Sequence, residues 1–357
     1  MTKQVAKEFL SAVPRSICRQ DAVFQLPPSN SSLPRVSIIA TGGTIAGTNS
    51  DSTSTTGYKA GSLGVDALIE AVPALSNISS VSGIQFSNIG SQNMNTSLLL
   101  RLTKLATNVA ANGSADGIVI THGTDTLEET AMFLDLTYNE SLPIAMAAAM
   151  RPSTALSADG PFNIYEAVAL AGSKEAADRG VMIVLNDRIG SAMYTTKTNT
   201  RAVDTFKAAE QGYLGVFNDE VPVFYFEPSR VYKKPFFDVS GVDALPRVDI
   251  LYGNIDMDVR LLNYSVSSGA EGVVIACAGD ASLPDAWADA AQAFTEQGIP
   301  VVRASRTGSG YVAPADDTLT SGNFNPQKAR ILLQLVLNEH GGKNSTLIQE
   351  YFDPYLS

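Results

Sequence analysis

Short apolar runs that end in polar, glycine-bearing turns recur through the first half of the chain. Val36–Ala40 (VSIIA), Gly117–Ile120 (GIVI), Pro143–Met150 and Val181–Asn186 are nearly unbroken apolar stretches of strand length. Such runs read as strands buried on both faces, as in a parallel sheet. Val81–Ile89 alternates loosely and reads as a further strand. Between them, apolar residues fall at helical spacing over Val65–Val72 (stopped by Pro73), Ser97–Ala111, Leu127–Tyr138 and Asn163–Gly172. Strand, polar turn and helix in repeating order predict a parallel sheet with right-handed crossovers. A long polar loop is expected from the end of the Val181 strand through Thr200. Residues 227–246 are rich in Pro, Lys and Phe and lack periodicity, so they read as a linker. The α/β order then resumes on a smaller scale, with strands at Val248–Tyr252, Gly272–Ala276 and Pro300–Arg303 and a closing helix at Pro326–Leu337.

The expected architecture is therefore α/β in two α/β domains, a larger N-terminal one (35–226) with a mostly parallel sheet and a smaller C-terminal one (247–357). The length of 357 residues agrees, since a domain takes roughly 150 residues. Residues 1–34 are polar and proline-bearing. They are expected to form an extension outside the core, with one short helix near Val5–Val13.

Composition removes several classes of function. The net charge of −11 and the pI of about 4.7 argue against nucleic acid or an anionic membrane as partner. No apolar run approaches the roughly 18 residues of a membrane span. The chain has two cysteines, Cys18 and Cys277, and two histidines, His122 and His340. A structural zinc site needs four ligands, usually Cys or His, so it is not expected. A Cys18–Cys277 disulfide is conceivable, but Cys277 in an apolar run also reads as plain core. His340 reads as a solvated helix-end residue, and His122 as a hydrogen-bonder beneath a turn. Seven asparagines sit in Asn-x-Ser/Thr sequons: Asn30, Asn77, Asn95, Asn112, Asn139, Asn263 and Asn344. Ser and Thr abundance alone predicts about three, which favours a secreted, glycosylated eukaryotic protein. Residues 1–34 nevertheless show no signal-peptide core.

The chemistry falls in the turns. In an open α/β sheet, ligands bind beyond the carboxyl ends of the strands, where turns distant in sequence converge. Thr44 follows Gly42 and Gly43, in a stretch that fits neither a dinucleotide fingerprint nor a P-loop. Ser91 and Gln92 follow the second strand, and Thr124 and Asp125 the third. Tyr58 and Lys197 lie on long loops able to reach the same crevice. Asn49–Gly61 has the length and Ser/Thr/Gly content of a lid. An aspartate suits an ammonium, and hydroxyls with turn amides suit a carboxylate, so the group fits a small zwitterion. Hydrolysis here would use a threonine hydroxyl, which is inert until a base takes its proton. With histidine nearly absent, Tyr58 and Lys197 are the base candidates. Each residue also has a plainer reading: Asp125 as a helix cap, Lys197 as a solvated loop lysine, the Thr44 turn as a tight connection.

ATGGTIAG at 40–47, GSQNMN at 90–95, THGTDTLEETA at 121–131, AMRPSTALSADGPFN at 149–163, TKTNT at 196–200 and NPQKARILLQL at 325–335 together resemble the type II L-asparaginases, from about residue 35 to the C-terminus. The resemblance implies hydrolysis of L-asparagine to L-aspartate and ammonia without a cofactor, and a homotetramer built from intimate dimers. Thr44 then looks like the nucleophile with Tyr58 as its activating partner, and Thr124, Asp125 and Lys197 like the second catalytic group. Gly43, Gly90, Ser91, Gln92, Thr124, Asp125 and Ala149 would bind substrate, with Ser282 reaching the site of a neighbouring subunit. Some features depart from the family pattern. Asn93 replaces a common aspartate, Ser282 stands where some members have asparagine, and the Thr307–Pro314 loop looks short. The glutamate that steadies the lid tyrosine in some members has no clear match beyond Asp316 or Asp317. Two alternatives stay open: a dual glutaminase-asparaginase, and a non-catalytic amino-acid-binding protein on the same scaffold.

Overall fold

The computed structural model describes residues 23–228, 231, 233–315 and 318–353. The expected helix near Val5–Val13, Cys18 and the pair Asp316 and Asp317 lie outside the described residues. The first sheet runs in the order β1-β3-β2-β4-β5-β6-β7-β10-β11. Its strands are β1 (Val23–Leu26), β2 (Arg35–Gly42), β3 (Ser80–Ile89), β4 (Gly117–Thr121), β5 (Ile144–Ala147), β6 (Val181–Leu185), β7 (Arg188–Ser191), β10 (Gly215–Asn218) and β11 (Val221–Phe224). The strands β8 (Thr196–Lys197) and β9 (Phe206–Lys207) form a separate ribbon. The block β3-β2-β4-β5-β6 is parallel.

Alternation along the central strands explains how this block is buried on both faces. Val36, Ile38 and Ala40 face a cluster completed by α1 (Val65–Glu70) and α4 (Gly160–Ala171). Ile39 faces the opposite cluster, which α2 (Thr96–Ala111) and α3 (Leu127–Thr137) complete. With helices on both sides, β4, β5 and β6 are buried at every position and β2 at all but Arg35, and their sequence shows apolar runs rather than period-two alternation.

Two parts of this sheet differ from the sequence expectation. The segment after β6 turns at once into a hairpin. Asn186 and Asp187 both take positive φ, 52° and 59°, and Leu185 pairs with Arg188. A two-residue turn of this handedness matches strand twist and favours Asn and Asp, so the Asn-Asp dipeptide was the overlooked signal. The other difference is in the N-terminal extension. Val23–Leu26 pairs antiparallel with β3, and Phe24 and Leu26 pack on the core; with four residues in a proline-rich context, the pattern was too short to read.

The second sheet is parallel, in the order β12-β13-β14-β15, formed by Val248–Tyr252, Gly272–Cys277, Val301–Ser305 and Leu319–Thr320. On one face lie α5 (Arg260–Ser267) and α6 (Asp285–Glu296), packed around Trp287 and Leu262. On the other lies α7 (Pro326–His340), followed by α8 (Ser345–Phe352). The α7 helix is apolar on nearly every side. It packs against the second sheet and also against Met132, Phe133 and Leu136 of α3, and a helix apolar all round belongs inside. One core cluster thus fastens the two α/β units together. Cys277 is a buried free thiol. Among the described residues, no helix is long and apolar enough to cross a membrane.

Candidate active site

Strand order fixes where a crevice opens. The chain passes from β2 to β3 on one side, then returns to β4 on the other side of β2. Ligands bind beyond the carboxyl ends of the strands at such a reversal. The turns after β2, β3 and β4 meet there, and glycine makes the meeting possible. Gly43 has φ 83°, and a Cβ on it would lie 2.3 Å from the Gly123 Cα. A Cβ on Gly123 would in turn press on Ser91 Oγ at 2.7 Å. Three turns therefore interlock at a spacing that no larger residue permits at these positions. Thr126 Oγ1 donates to the Ser91 carbonyl at 2.8 Å, and the Asp125 N–H donates to Ser91 Oγ at 3.2 Å.

The pocket above these turns has a volume of about 510 Å³ and is lined by Gly43, Thr44, Tyr58, Gly90, Ser91, Gln92, Gly123, Thr124, Asp125 and Lys197, together with lid and rim residues. Two threonine hydroxyls face it, each with its own partner. Thr44 Oγ1 and the Tyr58 hydroxyl are 2.6 Å apart. Lys197 Nζ donates to Thr124 Oγ1 at 3.0 Å and to Asp125 Oδ1 at 2.7 Å. Thr44, Ser91 and Thr124 are buried, whereas the Asp125 side chain is 62% exposed. Asp125 does not cap α3: Thr126 takes the cap position, without a side-chain bond. The carboxylate is thus directed to the ammonium of Lys197 and to the open pocket.

His122 lies beneath the turn and is fully buried. Its Nδ1 is 2.8 Å from the Gly123 carbonyl, which can only accept, so Nδ1 carries the proton. Nε2 then accepts from the Thr130 hydroxyl at 3.0 Å. Burial pushes its pKa down to about 4, against the raising effect of that carbonyl. The imidazole is a neutral brace for the turn.

Two site expectations fall elsewhere in the single chain. Ala149 is fully buried behind the pocket, and its neighbours Met150 and Arg151 line it instead. Ser282 sits in the second α/β unit, in a turn closed by its N–H on the Ala278 carbonyl at 2.9 Å, and is not among the lining residues. Sequence reasoning also passed over Glu128. Its side chain is buried and receives the Lys197 N–H at 2.8 Å. Among the described residues, no three His, Cys, Asp or Glu side chains cluster as metal ligands.

Comparison with known proteins follows this geometry. Residues 35–230 match the family described as Asparaginase, N-terminal, and residues 247–352 match Glutaminase/Asparaginase C-terminal domain. The chain is 48% identical over 329 residues to "L-asparaginase 2" of Bacillus subtilis, covering 90% of this chain and 87% of that one. It is 43% identical over 331 residues to "Probable L-asparaginase periplasmic" of Haemophilus influenzae, covering 90% and 93%. The crystal structure of a probable cytoplasmic L-asparaginase from Campylobacter jejuni superimposes with a TM-score of 0.85 at 41% identity, covering 89% of this chain and 99% of that one.

Proposed function

The chain belongs to the asparaginase/glutaminase family, and on that premise we propose that it hydrolyses L-asparagine to L-aspartate and ammonia through a threonine nucleophile. The observation that carries this reading is the pair of threonine hydroxyls in one pocket, each bonded to its own proton-handling partner. Thr44 attacks the side-chain amide carbon as its proton passes toward Tyr58. The tetrahedral adduct collapses to a Thr44 ester as Tyr58 passes a proton on to the departing nitrogen, which leaves as ammonia. Water then cleaves the ester and restores the hydroxyl. Thr124, Lys197 and Asp125 form the second hydroxyl group of the site and supply charge and proton transfer on its opposite wall. The free oxygen of Asp125 receives the substrate ammonium, while Ser91, Gln92 and the amides of the glycine turns receive the α-carboxylate.

L-Glutamine fits the same reading as a secondary substrate. The pocket is roomy, and one methylene is worth only about 1–3 kcal/mol in discrimination. Catalysis rather than binding alone is favoured because all of Thr44, Thr124, Asp125 and Lys197 are present, and because the relatives carry enzyme names. Ammonia release from each amide by the purified protein tests the activity. A higher kcat/KM for L-asparagine is expected, and the absence of ammonia from either amide overturns the reading.

We extend the proposal to assembly and location. Ile250, Tyr252, Ile255, Leu261 and Tyr264 are exposed around the β12 edge, where a second copy would cover them, in keeping with a homotetramer built from dimers. All seven sequon asparagines are exposed, which supports a secreted glycoprotein. Light scattering with and without enzymatic deglycosylation of the natural protein checks both: a monomer, or no mass change, removes the corresponding part.

A further inference from the structure

Lys197 stands on β8, a two-residue strand laddered to the equally short β9, yet its ammonium must meet Thr124 to within a few tenths of an ångström. Residues of the second α/β unit supply part of the bonding that holds this segment. Asn325, Gln327 and Lys328 occupy the first turn of α7 and its cap. Lys328 is 2% exposed, and its ammonium donates to the carbonyl of Ala192 and, at 2.9 Å, to that of Thr195. Asn325 Nδ2 donates to Thr196 Oγ1 at 3.2 Å, while Asn325 Oδ1 caps the helix through the Lys328 N–H at 2.9 Å. Glu128, buried in the first turn of α3, completes the set. One oxygen receives the Lys197 N–H at 2.8 Å and the other receives Gln327 Nε2 at 2.7 Å.

An ion buried without good partners costs several kcal/mol even after the protein relaxes. Here the anion and the cation each spend their bonds on the backbone of 192–197 or on the helix that grips it. Burial pushes Lys328 down to about 8, while the charges of Glu128 and Asp135 pull it back up. Apolar residues would fill the same volume without that penalty, but they would leave the carbonyls of Ala192 and Thr195 and the N–H of Lys197 without partners.

We infer that Glu128 and Lys328 are positioning residues: together they fix the backbone of residues 192–197 and so aim Lys197 Nζ at Thr124, making the second α/β unit part of its own subunit's catalytic apparatus. This rests on the reading of Lys197 as a catalytic group.

The test uses kcat and KM for L-asparagine in the full-length protein, normalised to the folded fraction by circular dichroism. Glu128→Ala should lower kcat by about 10²-fold, because a misplacement on the order of 1 Å costs that much. KM should change by less than about threefold, since Ser91 and Gln92 stand on other turns. Lys328→Met, which fills the buried volume, should show the same split. Glu128→Gln should recover most of kcat, because an amide oxygen still accepts from the Lys197 N–H. The decisive variant is Glu128→Ala combined with Lys197→Met, which should be no slower than Lys197→Met alone. Parental kcat in folded Glu128→Ala and Lys328→Met, or a full additive loss in the double variant, overturns the positioning role. A parental rate in Lys197→Met itself defeats instead the assignment of Lys197, and the positioning role falls with it.

Discussion

The Tyr58 hydroxyl rests 2.6 Å from the hydroxyl of Thr44, although Tyr58 belongs to an irregular loop and Thr44 to a turn fixed by the sheet. The loop is seated by bonds at its base. Thr48 and Lys59 form a bridge, and Asn49 exchanges two bonds with Thr154, its N–H to Oγ1 at 2.8 Å and its carbonyl from Oγ1 at 3.0 Å. The Leu156 N–H reaches the Ser52 carbonyl at 2.8 Å. This seating brings a phenolic hydroxyl to the Thr44 hydroxyl at the wall of the pocket.

Tyr58→Phe keeps the ring and removes the hydroxyl. It should lower kcat by at least about 10²-fold and raise KM far less, as expected for loss of a group that moves a proton. Steady-state kinetics decide between the two roles: parental turnover would leave Tyr58 as a cover only.

Thr44→Ala should lower kcat by on the order of 10³-fold or more with the fold intact, because residues acting as one unit lose the whole route when one is removed. Thr124→Ala should be comparably damaging, and the double variant little worse than either. Single-turnover ammonia release measures all three. A near-normal rate in Thr44→Ala removes it as the nucleophile.

Ser282 lies outside its own chain's pocket, on a turn where Ala281 takes φ 54°. If it completes a neighbour's site beside Asp125, the variants Asp125→Ala and Ser282→Ala should complement after co-refolding. The mixed dimer regains one site with both residues intact. Each single variant must first prove impaired, and no gain on mixing despite confirmed heterodimers rejects the shared site.

His122 should stay neutral well below the usual imidazole range, since burial takes it down to about 4. Nitrogen-15 NMR should find a single tautomer protonated at Nδ1, unchanged between pH 5 and pH 8. Its contribution to stability is whole above about 6.5 and is lost as pH falls through about 4, because the unfolded chain binds the proton first. Titration of the His122 resonance near pH 6.5 would contradict this.

Glu166 is fully buried beside Asp187. Burial, then the charge of Asp187, raises it to about 8. Its folded form therefore holds a proton that the unfolded chain releases near its ordinary value. The stabilisation is whole below about 4.5 and is lost as pH rises through about 8. Glu166→Gln mimics the protonated form. It should lie within about 1 kcal/mol of the parent in thermal melts at pH 5 and exceed it by about 4 kcal/mol at pH 8. Equal margins at both pH values would show that Glu166 is not held protonated.

The two-unit α/β architecture was legible in the chain because strands buried on both faces must be apolar throughout, and the turns at their carboxyl ends must carry whatever chemistry there is. Thr44, Ser91, Thr124 and Asp125 were found on that ground alone, and the family motifs added their roles. The length and composition of Asn49–Gly61 also marked it as a loop, and the structure sets Thr55, Thr56, Gly57 and Tyr58 against the pocket. Other features were decided only in three dimensions. The Asn186–Asp187 hairpin and the edge strand Val23–Leu26 depend on a neighbouring strand, which local periodicity does not report. Glu128 and Lys328 look like ordinary helix-start charges in sequence. Burial gives them their meaning, and Lys328 finds its carbonyls 136 and 133 residues away along the chain. Lys197 stood in the sequence both as a base candidate and as a solvated loop lysine, and the fold is what sets its ammonium against Thr124 and Asp125. Apolar pattern is a local property that each segment carries by itself. The bonding partner of a buried charge is a property of the packed chain, so only the tertiary structure could supply it.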